Sequence, residues 1–331
     1  MAARSIPRPF NLLFAVLLLV SAGCTATDPA SSSGQTPGSS ATFSLPTDGP
    51  PTAAITFPMT LTDDEGTDVA IAAEPQKIVS LTPDATETLF AIGAGARVVG
   101  KVEDVANFPA EAASVPIVAT FSAVDVERIV SLDADLVVSG GTGLSQGPAV
   151  EQLRRAGITV LVSYPTTVDG ALEGIRRIGR AVGLADDAAT LADSIANQMN
   201  DLQALADTAE TEPRVFYEID VTGGIFTPPA DSIYGEMFDL AGGSFISGDA
   251  NYSISLEELV AADPEVILLG DGAYGVTAAQ VKAREGWGGM TAVKEGRIVA
   301  VDDIVITRPG PRLAEGLKAL VAAIHPELDI P

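Results

Sequence analysis

The sequence predicts an α/β protein with two lobes, each on a parallel sheet, joined by a long rigid α-helix. Three observations lead there. Apolar, strand-like runs alternate with helical periodicity in two separate series. A helical stretch without an internal breaker lies between the series. One unit is also written twice: Val126 to Gly140 reads VERIVSLDADLVVSG, and Leu256 to Gly270 reads LEELVAADPEVILLG. In each copy a Glu opens an apolar-periodic turn, an Asp breaks it, and branched apolar residues run to Gly. Glu127 and Glu257 lie 130 positions apart (257 − 127).

Taken in order, the chain begins MAARSIPRPFNLLFAVLLLVSAGC. Arg4 and Arg8 precede an apolar run, Leu12 to Val20, that is too short to span a bilayer and suits an export signal over residues 1–23. Cys24, the only cysteine of the chain, follows Ser-Ala-Gly. That context resembles a bacterial lipobox, in which cleavage leaves the Cys as a lipidated N-terminus. Ser21 stands where Leu or Val is usual, and an ordinary cleaved signal is the alternative. Residues 24–53, rich in Ser, Thr, Pro and Gly, read as a flexible tether. ITFPMTLTDDEGTDVAI then reads as a hairpin around an acidic turn. Asp63, Asp64 and Glu65 lack the spacing of a calcium loop, so the turn is expected to be solvated.

The N-terminal α/β lobe is placed at 54–166. KIVSL is a buried strand, Thr82 and Pro83 read as N-cap and first residue of the helix ATETLFAIGAG, and ARVVG and ITVLVSYP supply further strands. Residues 167–210 form a helical segment whose second helix runs roughly 20 residues, about 30 Å. The C-terminal α/β lobe follows at 211–331 with RVFYEID, EVILLG, RIVAVD and the closing helix RLAEGLKALVAAIHPEL. LFAIGAGARVVG is echoed by MFDLAGGSFISG, which strengthens the internal pseudo-symmetry. Two Rossmann-like lobes of this kind place a ligand cleft between them, at the loop ends of the strands.

Composition narrows the chemistry. Net charge is −25, with 44 acidic against 19 basic residues, and no basic cluster is present to neutralise phosphates, so no nucleic acid is expected as a partner. A docking partner is expected to be basic. One His and one Cys cannot build a tetrahedral transition-metal site, so no intrinsic cofactor or protein-held metal is expected, and any metal arrives already chelated. One enzymatic alternative stands out. GLSQG, Gly143 to Gly147, matches the G-x-S-x-G nucleophile pattern, with His325 downstream in hydrolase order, so a secreted serine hydrolase would use Ser145 and His325. Against it, Gly140, Gly141 and Thr142 separate the pattern from its strand, and His325 sits beside Pro326 at a helix end. Trp287 reads as a packing residue.

PQKIVSLTPDATETLFAIGAGARVVG, VDVERIVSLDADLVV, SLEELVAADPEVILLG, GWGGMTAVKEGRIVAVD and RPGPRL together resemble the helical-backbone (class III) substrate-binding proteins, which serve ABC importers of cobalamin, ferric siderophores and haem. The resemblance runs from about Ile55 to the C-terminus. It implies a monomeric, membrane-anchored extracytoplasmic receptor with slight hinge motion, no catalysis, and a chelated metal compound as ligand, haem being the least favoured. It implies a homodimeric ABC permease with its ATPase as partner, docked through one surface Glu per lobe, here Glu127 and Glu257, with Glu258 the adjacent alternative. It places Phe108, Phe121, Phe226, Tyr252 and Arg308 at the cleft as ligand contacts. Gly140 and Asn251 stand where the family often has an aromatic.

Overall fold

The computed structural model describes residues 55–143 and 146–331. The N-terminal lobe runs β1 (Met59–Thr62), β2 (Asp68–Ile71), β3 (Ile78–Ser80), α1 (Pro83–Ala91), β4 (Val98–Val102), β5 (Ile117–Ala119), α2 (Val126–Ser131), β6 (Leu136–Ser139), α3 (Gly147–Arg155) and β7 (Thr159–Val162). Two helices follow, α4 (Val168–Ala181) and α5 (Ala185–Ala206). The C-terminal lobe comprises β8 (Arg214–Glu218), β9 (Ile225–Phe226), α6 (Ile233–Leu240), β10 (Ser244–Ile246), β11 (Ser253–Ile254), α7 (Leu256–Ala262), β12 (Val266–Leu269), α8 (Ala278–Lys282), α9 (Thr291–Glu295), β13 (Ile298–Ala300), α10 (Asp303–Thr307) and α11 (Leu313–Ile324).

Each lobe has one parallel sheet, in the order β5-β4-β3-β6-β7 and β10-β8-β12-β13. Two small antiparallel ribbons, β1-β2 and β9-β11, lie outside them. β6 and β12 are buried at every position, as strands covered by helices on both faces must be. Local chemistry sets the helix starts. The Thr82 side chain accepts from the Ala85 amide and Pro83 follows, so α1 begins where the sequence predicts.

The long helix α5 has 22 residues, about 33 Å at 1.5 Å per residue. Its buried face is Ala188, Ala192, Ile195, Ala196, Met199, Leu202 and Ala206, an apolar stripe at helical spacing. That stripe belongs to one continuous core that also takes Ile78, Leu136 and Leu161 from the first sheet and Val215, Tyr217 and Leu268 from the second. Gly179 lets α4 lie against the start of α5, because a Cβ there would collide with Ala188.

The duplication is structural as well as sequential. Asp133 and Asp263, 130 positions apart, both take left-handed backbone, at φ 53° and 47°. Two residues on, Asp135 accepts from the amides of Gln76 and Lys77 at 2.8 and 3.0 Å, and Glu265 accepts from the Arg214 amide at 3.0 Å. The same two residues donate their own amides back, to Lys77 and Arg214 carbonyls at 2.9 and 2.8 Å. The turn after α2 and the turn after α7 are therefore pinned to the start of the first parallel strand of their lobe, β3 and β8, by equivalent bonds.

The acidic turn between β1 and β2 is exposed from Asp64 to Thr67, as a solvated turn should be, but its first residue is not. Asp63 is buried and accepts from the Glu65, Thr67 and Val162 amides and from Arg154. Asp64 pairs with Arg177 and accepts from the Tyr164 amide at 2.8 Å. Glu65 accepts from the Thr142 amide and hydroxyl and faces Arg154 at 3.6 Å. Three carboxylates in a row are tolerated because two arginines and five backbone donors of the lobe meet them.

Candidate functional site

The cleft is built where the strands of both lobes end. α1 starts at the carboxyl end of β3, Asp104 follows β4, Tyr164 follows β7, and Arg308 and Arg312 follow β13 through α10. At its floor the lobes meet in an ion-pair network. Arg308 donates to Glu87 at 2.7 Å and forks onto both oxygens of Asp104, one at 3.1 Å. Arg312 donates to both oxygens of Glu87, at 3.1 and 3.2 Å. The Glu87 side chain is fully enclosed and both arginines are 12% exposed. Burial works against a charge on Asp104, but the Arg308 bonds and the Ala106 amide outweigh it and hold the carboxyl below its ordinary range. Burial likewise opposes the charge on Arg308, and the bonds to Asp104 and Glu87 overcome it.

The network shapes one wall. Asp104 also accepts from the Ala106 and Phe108 amides at 3.0 and 3.3 Å, which fixes the loop that presents Phe108. The Arg312 guanidinium lies 4.2 Å over the Phe108 ring centre, a cation–π contact. Arg308, predicted as a ligand contact, thus turns its two terminal nitrogens to carboxylates of the other lobe.

The opposite wall is aromatic. Tyr252 has φ 61°, rare for a bulky residue. Asp249 imposes it by accepting from the Asn251 and Ser253 amides at 2.8 and 2.9 Å, while the Tyr252 carbonyl takes the Thr227 amide. β9 carries Phe226 alongside Ser253 of β11, so Phe226 and Tyr252 share one small ribbon. The Tyr252 hydroxyl is held above its usual range by burial, then by the charges of Tyr164 and Asp231. Half-buried Tyr234 is raised too, by desolvation and then by Tyr252 and Tyr164. Tyr164, from the first lobe, is thus within electrostatic reach of Tyr234 and Tyr252 of the second.

Of the five predicted contacts, Phe108 and Arg308 are thus joined through Asp104 and Arg312, and Phe226 and Tyr252 through their ribbon. Phe121, 67% exposed, stands on the turn before α2. Glu87, Asp104, Arg312, Tyr164 and Tyr234 were not singled out in the sequence. The second Arg of RPGPR and the Tyr closing ITVLVSYP were the available signals.

The predicted docking residues occupy matching places. Glu127 and Glu257 are exposed in the first turns of α2 and α7. Asp125 and Ser255 cap those helices, and Glu258 closes a capping box with Ser255, so Glu257 is the acid left outward in the second lobe. His325 is buried, with Nε2 3.0 Å from the Gly242 carbonyl and Nδ1 3.2 Å from Glu327. Gly242 leads into the amino end of β10, whereas the GLSQG loop follows the carboxyl end of β6 in the other lobe. Ser145 and Cys24 lie outside the described residues. Gly147 has a packing role, since a Cβ would strike the Thr142 carbonyl, and Gln146 ties the loop to the Leu81 carbonyl at 3.0 Å. Trp287 is buried edge-on to Phe216.

Two parallel-sheet lobes around an aromatic cleft, spanned by one stiff helix, define a bilobal ligand-binding protein. The family model described as periplasmic binding protein matches residues 78–305, and the chain belongs to that family. An uncharacterized ABC transporter substrate-binding lipoprotein of Bacillus subtilis, YvrC, is 35% identical over 277 residues, 82% of this chain and 87% of that protein. A cobalamin-binding protein of Halobacterium salinarum is 31% identical over 325 residues, 94% of this chain and 84% of the relative. Among solved structures, the Vibrio cholerae vitamin B12 binding protein BtuF matches with a TM-score of 0.66 at 23% identity, over 76% of this chain and 97% of its own. The Roseiflexus heme-binding protein RhuT matches with a TM-score of 0.67 at 26% identity, over 76% and 98%. These relatives are binding proteins.

Proposed function

We propose that the chain is the extracytoplasmic substrate-binding component of an ABC importer. It captures a chelated metal compound, cobalamin or a ferric siderophore, and delivers it to a homodimeric permease with its ATPase. The observation that carries this is the duplicated unit: each lobe presents one outward Glu from an equivalent capped helix, on either side of an aromatic cleft. A two-fold partner needs the same charge offered twice. Phe108, Phe121, Phe226 and Tyr252, with Tyr164, supply faces and phenols for a flat or aromatic chelate. The Arg308–Glu87–Arg312–Asp104 network forms the cleft floor, with Arg308 reaching ligand through its remaining edge. Lipidation at Cys24 holds the receptor at the membrane while the 24–53 tether gives it reach.

Calorimetric titration with cyanocobalamin, ferric hydroxamate and catecholate siderophores, and haem tests the ligand class. Saturable one-to-one binding below micromolar is expected for cobalamin or one ferric siderophore. Heat signals absent from every titration would refute a metal chelate as ligand. For docking, the Glu127→Lys, Glu257→Lys double variant is expected to abolish uptake and keep ligand affinity. Loss of affinity together with uptake would move these residues from docking to the ligand site.

A further inference from the structure

Ten large apolar side chains are conspicuously exposed among the described residues, and most lie on cleft loops or strand edges. The two on α-helices are Val130, 45% exposed, and Val260, 38% exposed. They are 130 positions apart (260 − 130), the same interval that relates Glu127 to Glu257. Each Val follows its Glu by three residues, so Glu and Val share a helix face in both lobes. The agreement is wider than two residues: positions 125–130 and 255–260 have the same sequence of exposed, half-buried and buried sites, with Ile129 and Leu259 pointing inward. Exposing a branched apolar residue once is ordinary. Exposing it twice, at the same place beside the same acid, calls for a common cause.

A hollow flanks the start of α2. Beside α2 a space of about 330 Å³ is lined by Ile117, Val118, Ala119, Thr120, Val124 and Asp125, the last being the α2 cap.

We infer that the receptor's docking surface is a paired acidic and apolar seam: Glu127 with Val130 in one lobe, Glu257 with Val260 in the other. The occupant is the homodimeric permease, each subunit offering a basic side chain to the Glu and an apolar one to the Val. This rests on the docking role proposed above and extends it. The glutamates supply charge steering and register, and the valines supply water-excluding contact, which charge alone at an exposed site does not give.

The test uses the full chain and the ABC permease that co-purifies with it, reconstituted in nanodiscs, with the dissociation constant read by biolayer interferometry. Val130→Ala with Val260→Ala is expected to weaken docking about twentyfold, from roughly fivefold per site for a half-covered pair of methyl groups. Val130→Asp with Val260→Asp is expected to abolish it. Val299→Asp, an acid added at an exposed Val on β13, is the control and should leave it unchanged. Unchanged docking in both valine pairs, with loss in Glu127→Lys, Glu257→Lys, would overturn the seam and leave the glutamates standing. Unchanged docking in the lysine pair as well, or retention of no ABC permease by the wild-type chain, would overturn the docking reading itself. Equal weakening by Val299→Asp would reduce the effect to bulk charge and also overturn the seam.

Discussion

Replacing Glu87 by Gln removes the charge on which two arginines from the other lobe converge. Three hydrogen bonds reach this carboxylate, at 2.7, 3.1 and 3.2 Å, and its side chain has no exposure. Charged hydrogen bonds contribute roughly 1.5–3 kcal/mol each, and breaking a buried pair from one side costs about 3–5 kcal/mol. The low end applies here. Arg308 keeps Asp104 and Arg312 keeps the Phe108 ring, both arginines touch solvent, and the amide still offers one acceptor. We expect a loss of about 3 kcal/mol. At roughly 2 °C per kcal/mol for a body this large, that is a Tm lower by about 6 °C. Urea unfolding followed by Trp287 fluorescence reads the free energy, and an unchanged slope shows that the folded states are alike. A double-mutant cycle with Arg312→Met should return a coupling above about 1 kcal/mol. Stability within about 0.5 kcal/mol of wild type would refute the reasoning and show that the lobes meet there without mutual support.

Two further expectations concern acidity and ligand. Neither oxygen of buried Asp271 meets a donor among the described residues; burial, then the charge of Glu218, whose own partner is Arg284, push its pKa up to about 8 from an ordinary 3.8. A carboxyl raised on folding binds its proton more tightly in the native state, so stability is expected to fall as pH climbs from about 4 towards 8. Asp271→Asn should flatten that slope in denaturation measured across this range, and an unaltered slope would exclude Asp271 as its source. Tyr252→Ala and Tyr164→Ala should each weaken the chelate found by calorimetry at least tenfold, as loss of an aromatic contact does. Affinity unchanged in both would place the ligand elsewhere in the cleft.

The fold was legible because its signals are local. βα alternation, the Thr82–Pro83 start, the Ser255 cap and the breaker-free stripe of α5 each lie within a few residues of their effect. The repeat made the second lobe readable from the first. The cleft floor was not legible, since Arg308 meets Glu87 across 221 positions and Glu87 itself sits on the buried face of α1, where periodicity calls for an apolar residue. The pairing of the acidic turn was hidden for the same reason: Arg154 and Arg177, which meet Asp63 and Asp64, lie 91 and 113 positions away. Tyr252 was found by its neighbourhood in the sequence, but its left-handed backbone depends on Asp249 and could be seen only in three dimensions.

The continuous core through α5 has a thermodynamic consequence for finding the ligand. Residues of both sheets share one apolar interior, so neither lobe can melt while the other stays intact, and the body should lose structure in a single transition. A compound gripped between the lobes then raises the melting point of the whole body. At a thousandfold excess over its dissociation constant the gain is about 4 kcal/mol, or some 8 °C at the conversion above. A plain melting curve, with no label and no permease, becomes a screen of chelates.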